Sequence, residues 1–105
     1  MPQFAVYRNK NPRTKSTFPF LVDVQSELLE PLQTRVVIPL TKSAALAKKP
    51  VSHLTPTLTF EGEVFVLMTP QLAGIARAEL GAHAGSLAQE REAILASIDF
   101  LLSGF

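Results

Sequence analysis

The chain contains no cysteine and only two histidines, His53 and His83, among its 105 residues. Without cysteine there is no disulfide framework, no thiolate zinc site, no iron–sulfur cluster and no cysteine nucleophile. This fits a cytoplasmic protein. The histidines are too few and too far apart in sequence for a histidine metal site or a catalytic triad. Each reads as a surface or loop residue. The five glycines never reach the spacing of a phosphate loop. GAHAGSL (81–87) lacks the flanks of a nucleophile elbow. Net charge is only +1, which argues against general nucleic-acid binding, since that calls for a strongly basic domain. No uncharged run approaches the ~20 apolar residues needed to span a bilayer. The start, MPQFAVYRNK, lacks a basic segment followed by an apolar one, so no signal peptide is expected.

What is present suits one folded domain, taken as 1–105. Hydrophobic residues are 47% and charged ones 18%, the reverse of a disordered chain. A chain of this length buries roughly 65% of its unfolded surface. Charge is unevenly placed. Residues 1–20 hold Arg8, Lys10, Arg13 and Lys15 with no acid, or +4; residues 21–105 hold six bases and nine acids, or −3. The basic stretch is either a solvated loop or a docking arm for an acidic partner.

Proline organises the rest. It occurs eight times up to Pro70 and never afterwards. Proline breaks helix interiors, so residues 1–70 should be short strands and loops, with a long helix in 71–105. Alternation predicts strands at Gln3–Tyr7 and Phe18–Val24, the second with Phe18, Phe20, Val22 and Val24 on one face. Between them, Asn9–Thr17 is a polar loop. Ser26–Leu29 suits a helical turn, Thr34–Leu40 a central strand, and Ser43–Lys48 a brief helix or loop. Glu61-Gly62 predicts a two-residue turn pairing Thr57–Phe60 with Glu63–Met68. Pro70–Leu80 is compatible with helix or strand. A capping box at Ser86 and Gln89, with Leu87, Ile94, Ile98 and Leu101 at helical spacing, predicts a helix over Leu87–Leu102 that ends at Gly104.

No constellation carries catalysis. Glu61 and Glu63 read as solvated turn charges, and Glu90 and Glu92 complement a helix dipole. Asp23 reads as an exposed polar group on an outer strand face, with a hydrogen-bonding role as the alternative. Arg35, Arg77 and Arg91 are scattered. No metal or other cofactor is expected. The ending FLLSGF is a candidate contact, because Phe105 either folds back on the core or presents an aromatic ring to a partner.

Five segments in order resemble the CcdB family, the toxins of toxin–antitoxin modules: QFAVY (3–7), FLVDVQSELLE (20–30), TRVVIPL (34–40), PTLTFEGEVFVLMT (56–69) and AILASIDFLLSGF (93–105). The resemblance implies a mainly β fold of SH3-like type, shared with ribonuclease toxins of similar modules. It comprises an antiparallel sheet, a small second sheet and one C-terminal helix, with strands in 70–85. It further implies a homodimer in the bacterial cytoplasm that is not an enzyme. Such a dimer binds the DNA gyrase A subunit and traps the complex with cleaved DNA. An antitoxin with an acidic tail neutralises it, and the pair co-represses its operon, reaching DNA only through the antitoxin. Carried over by position, the gyrase contact comprises Leu28, Leu29, Asp99, Ser103, Gly104 and Phe105. Ser103 departs from a familiar tryptophan and Asp99 from an asparagine. The basic residues Arg8, Lys10, Arg13 and Lys15 are candidates for the antitoxin. A ribonuclease toxin on the same fold, or a degenerate antitoxin-binding module, are the alternatives.

Overall fold

The computed structural model describes residues 2–42 and 53–104. The reading of Ser43–Lys48 and the placement of Phe105 lie outside them. Seven strands run β1 (Ala5–Asn9), β2 (Phe20–Asp23), β3 (Thr34–Thr41), β4 (Thr57–Phe60), β5 (Glu63–Leu67), β6 (Ala73–Ala76) and β7 (Leu80–Ser86), followed by helix α1 (Arg91–Ser103). They form one curled antiparallel sheet of order β4-β5-β3-β2-β1-β7, with β6 branching off β3. The fold is mainly β with a single C-terminal helix among the described residues, as the resemblance implied, but the small second sheet expected with it is not separate: β6 and the β4–β5 pair both join the one sheet through β3.

Strand β3 is the trunk. On one side it pairs with β2 from Phe20↔Leu40 to Asp23↔Val37. On the other side it pairs with β6 over Thr34–Val37 and with β5 at Leu40 and Thr41. Pro39 sits between those two stretches. Its carbonyl accepts from Met68 N at 2.9 Å. A residue's N–H and C=O leave a strand on the same side, so the missing proline N–H falls in the gap between β6 and β5. A proline is thereby tolerated inside a sheet.

Both faces of β1–β3 are covered. One carries the larger core, with Val6, Val22, Ile38 and Leu40 packed against Leu87 and Ile94. There Phe20, Phe60 and Phe65 meet edge to face, with ring centroids 5.3–6.2 Å apart. Helix α1 docks on it through Ser97, whose buried hydroxyl accepts from Thr69 Oγ1 at 3.0 Å and donates to Ile94 O at 2.7 Å. The opposite face carries Ala5, Tyr7, Leu21, Val37 and Leu80, with Ile75 against them.

Several expectations shift. Strand β1 begins two residues late because Phe4 has φ 70°, which turns the chain before the ladder starts. Strand β2 begins at Phe20, since Phe18 N is bonded to Thr14 O in the preceding loop. The Glu61-Gly62 turn is confirmed, with φ of 51° and 79°, as a type I′ hairpin requires. Residues 70–85 hold strands rather than the helix that alanine propensity allowed, because pairing of β6 with β3 overrides it. The helix starts at Arg91, after a 3₁₀ turn at Ala88–Glu90. Ser86 Oγ accepts from Ala88 N instead of closing a capping box. Gly104 ends the helix as expected, left-handed at φ 77° with its N–H on Phe100 O.

The larger correction concerns Asp23 and Arg35. Neither is exposed; both side chains are 0% accessible. Arg35 Nε donates to Asp23 Oδ2 at 2.8 Å and Nη2 donates to Oδ1 at 3.1 Å. Oδ1 also accepts from Gln25 N at 3.0 Å. Asp23 lies on the second face, beside Leu21, where Leu80 of β7 and Ile75 of β6 add to the apolar cluster. Removing one buried charge strands the other at a cost of about 3–5 kcal/mol, whereas replacing both with apolar groups is close to neutral. Urea unfolding should therefore show Arg35→Met destabilised by about that amount. The double variant Asp23→Leu/Arg35→Met should recover most of the loss. A double variant less stable than Arg35→Met would contradict the pairing argument.

Candidate partner-binding surfaces

The first candidate residues fall in two groups, the loop after β2 and the end of α1. In the loop, Ser26 Oγ accepts from Leu28 N, starting a 3₁₀ turn over Glu27–Leu29. The turn aims Leu28 at solvent, 91% exposed, with Leu29 and Leu32 about half exposed. Leucine displayed this fully on an ordered turn is apolar area available to a partner. The C-terminal end of the turn is tied twice. Gln25 Nε2 donates to Leu29 O at 3.2 Å. Arg77, from the 3₁₀ turn Arg77–Glu79, donates to Glu30 O at 3.2 Å and to Glu30 Oε1 at 2.8 Å. That hydrogen bond holds the Glu30 carboxyl below its usual range.

At the helix end, Leu101 and Leu102 are exposed, Leu102 at 78%. Asp99 is exposed, and Ser103 Oγ donates to Asp99 O at 2.7 Å. The Ser103 hydroxyl is thus turned back onto its own helix. Leu28 and Leu29 share one turn, and Asp99, Ser103 and Gly104 share one helix end. No described hydrogen bond or ring contact joins the two groups.

The second surface is basic. Residues 10–18 are no loose arm but a wound loop. Asn9 Nδ2 donates to Thr14 Oγ1 and Phe18 O, and Asn9 Oδ1 accepts from Asn11 N. Arg8 lies on β1 with its guanidinium 5.5 Å from the Phe20 ring centre. Lys10 Nζ donates to Ala78 O at 2.8 Å. Arg8, Lys10 and Lys15 line a shallow depression of about 720 Å³ whose wall is Gly81 and Ala82 of β7. Arg13 is exposed but does not line it. On the other side of Lys10 lies a cavity of about 530 Å³ floored by Leu21, Val37, Pro39 and Ile75, with Glu79 on its rim.

The remaining candidate chemistry stays dispersed. His83 meets Tyr7 and His53 meets Phe100, each ring edge-on. The three scattered arginines occupy three separate contacts: Arg35 with Asp23, Arg77 with Glu30, and Arg91 with Gln3 and the Phe4 ring. Among the described residues no three metal-ligating side chains gather, and no helix is long and apolar enough to cross a membrane. Sequence reasoning missed the Gln25 and Arg77 ties. Gln25 follows Asp23 at strand spacing, a signal that both share a buried face. The 47 residues between Glu30 and Arg77 carry no local signal.

A curled antiparallel sheet of seven strands closed by one C-terminal helix defines a small half-barrel β fold. The sequence model of the CcdB protein family matches residues 3–104, and the chain belongs to that family. It is accordingly a toxin of the toxin–antitoxin kind.

The Glu30–Arg77 tie depends on pH. A carboxyl whose folded pKa is depressed contributes above its unfolded value and loses that contribution as pH falls through the folded value. The tie should hold above pH 4.5, the ordinary value for Glu30, and loosen in stronger acid. Amide exchange at Leu29 and Glu30 read against pH should accelerate there beyond its intrinsic trend. In Glu30→Gln this extra acceleration should vanish; its persistence would show that another group controls the loop.

Proposed function

We propose that this toxin is a gyrase poison that acts by binding and not by catalysis. One toxin domain spanning the chain pairs into a homodimer, engages the DNA gyrase A subunit, and holds the complex with cleaved DNA. Family membership supplies the class, and the observation that carries the reading is the pair of displayed apolar elements. The Leu28–Leu29 turn and the helix end through Leu102 and Gly104 offer exposed apolar area on backbone already fixed. Leu28, Leu29, Asp99, Ser103, Gly104 and Phe105 form the proposed contact. With serine at 103 the cation–π attraction of an aromatic side chain, worth ~0.5–2 kcal/mol, is missing. The contact therefore relies on leucine and phenylalanine burial.

The second surface takes the acidic tail of a cognate antitoxin, with Arg8, Lys10 and Lys15 around the depression and Arg13 on the outer loop. The antitoxin supplies DNA reading when the pair represses its operon. The dispersal of Arg35, Arg77 and Arg91 supports binding over ribonuclease action, which calls for convergent acid, base and cation around one phosphate. The setting is the bacterial cytoplasm.

Expression in cells with wild-type and poison-resistant gyrase tests the reading. Growth arrest is expected only with wild-type gyrase, and removal of residues 103–105 should abolish arrest while leaving circular dichroism unchanged. Arrest in both strains with RNA cleavage by the purified protein would favour the ribonuclease. No arrest in either, with antitoxin binding retained, would favour a degenerate module.

For the second surface, Arg8→Gln/Lys10→Gln/Lys15→Gln should weaken antitoxin-tail binding at least tenfold and flatten its salt dependence. Unchanged affinity and salt slope would remove these residues from the interface.

A further inference from the structure

We propose that Gln25, anchored by the Asp23–Arg35 pair, is the positioning residue of the Leu28–Leu29 turn. The proposal rests on the reading of that turn as a partner contact. Leu28 is almost fully exposed, so its own burial fixes nothing. The turn must be located by polar ties, and the one that links it to strand β3 runs through Gln25, which is buried at 7% accessibility. Its amide bridges two backbones: Oε1 accepts from Val36 N at 3.0 Å, and Nε2 donates to Leu29 O at 3.2 Å. Its own N–H is held by Asp23 Oδ1, which Arg35 grips from the other side. A chain of hydrogen bonds thus runs from the trunk strand β3 to the tip of the display turn.

An apolar residue at 25 would fill the same space, so burial alone does not explain glutamine. What glutamine adds is one acceptor and one donor on a planar group, at the spacing needed to join Val36 to Leu29. A turn held this way is ordered before a partner arrives, and binding does not then bear the entropy of ordering it. Arg77 holds the next residue, Glu30. Gln25 is the tie to the sheet itself.

The test uses Gln25→Glu, which keeps an acceptor for Val36 N but sets an oxygen against Leu29 O. Gln25→Met serves as a neutral second variant, in case the new charge disturbs folding. Leu28→Ala is the contact reference. Hydrogen exchange is read at Leu28, Leu29 and Glu30, with Val6 and Val22 as core controls. Affinity is read by calorimetry with a gyrase A dimerisation-region fragment. At least one Gln25 variant should speed exchange in the turn tenfold or more, leave Val6 and Val22 unchanged, and weaken binding about tenfold. Unchanged exchange in the turn, or acceleration spread equally to Val6 and Val22, overturns the positioning role. A loosened turn that binds normally while Leu28→Ala does not also overturns it. A loosened turn with neither Gln25 variant nor Leu28→Ala affecting binding upholds the positioning role and rejects the gyrase reading of the turn.

Discussion

The buried pair Asp23–Arg35 is the constraint on which the rest of this fold turns. A charge without water is tolerable only when matched and hydrogen-bonded, and here two bonds join the groups across neighbouring strands. The pair fixes the β2–β3 register. A slip of one residue would move Asp23 from the face of Leu21 to that of Val22, into the aromatic core. No apolar pair would resist that slip as strongly, since either face accepts valine or leucine. The match is incomplete, because Arg35 Nη1 has no partner among the described residues. An unsatisfied buried donor costs free energy, so this pair contributes less to stability than to register.

From the fixed register the neighbouring elements follow. β3 keeps its ladder to β2 unbroken while changing partners on its other side, and Pro39 marks the change. At the opposite side of the sheet the seam between β1 and β7 depends on a missing side chain. A Cβ on Gly81 would stand 2.6 Å from Arg8 O, so any larger residue would push β7 off β1. The same close approach brings Gly81 and Ala82 up to the basic side chains and leaves the depression beside them open. Backbone proximity, and not only charge, shapes the cationic surface.

The legible parts of the fold were those governed by local chemistry. The Glu61-Gly62 hairpin, the strand alternation and the Gly104 helix end each rest on a few adjacent residues. The burial of Asp23 was not legible. Alternation in FLVDV says which residues share a face, but whether that face is covered depends on β6 and β7, some fifty residues onward. The start of α1 was misplaced for a related reason. Leu87 has helical spacing, yet its burial is set by the sheet and by the bond from its N–H to Phe4 O. Of the two proposed surfaces, the leucine and helix-end residues were assigned by position in the family pattern, and the basic residues by the charge imbalance of the first twenty residues. The ordering of the basic loop around Asn9, and the ties to Leu29 and Glu30, could not.

The two surfaces differ in what holds them, and that difference matters for how each can act. The leucine turn is referenced to the central strand through part-buried hydrogen bonds of the neutral Gln25 amide, on which salt has less purchase than on separated surface charges. The basic depression is exposed, and charges there interact through water within a Debye length of about 8 Å at physiological ionic strength. Such a surface draws an acidic chain quickly but holds it only if many weak contacts add. Lys10 limits how far the two behave as independent parts. Its ammonium is bonded to Ala78 O, in the same short turn whose Arg77 grips Glu30. A carboxylate that drew Lys10 away would free Ala78 O, one residue from the anchor of the leucine turn. The cationic surface and the apolar one therefore share a backbone segment, Arg77–Glu79, and the strength of the Arg77–Glu30 tie sets how much of a change at one is felt at the other.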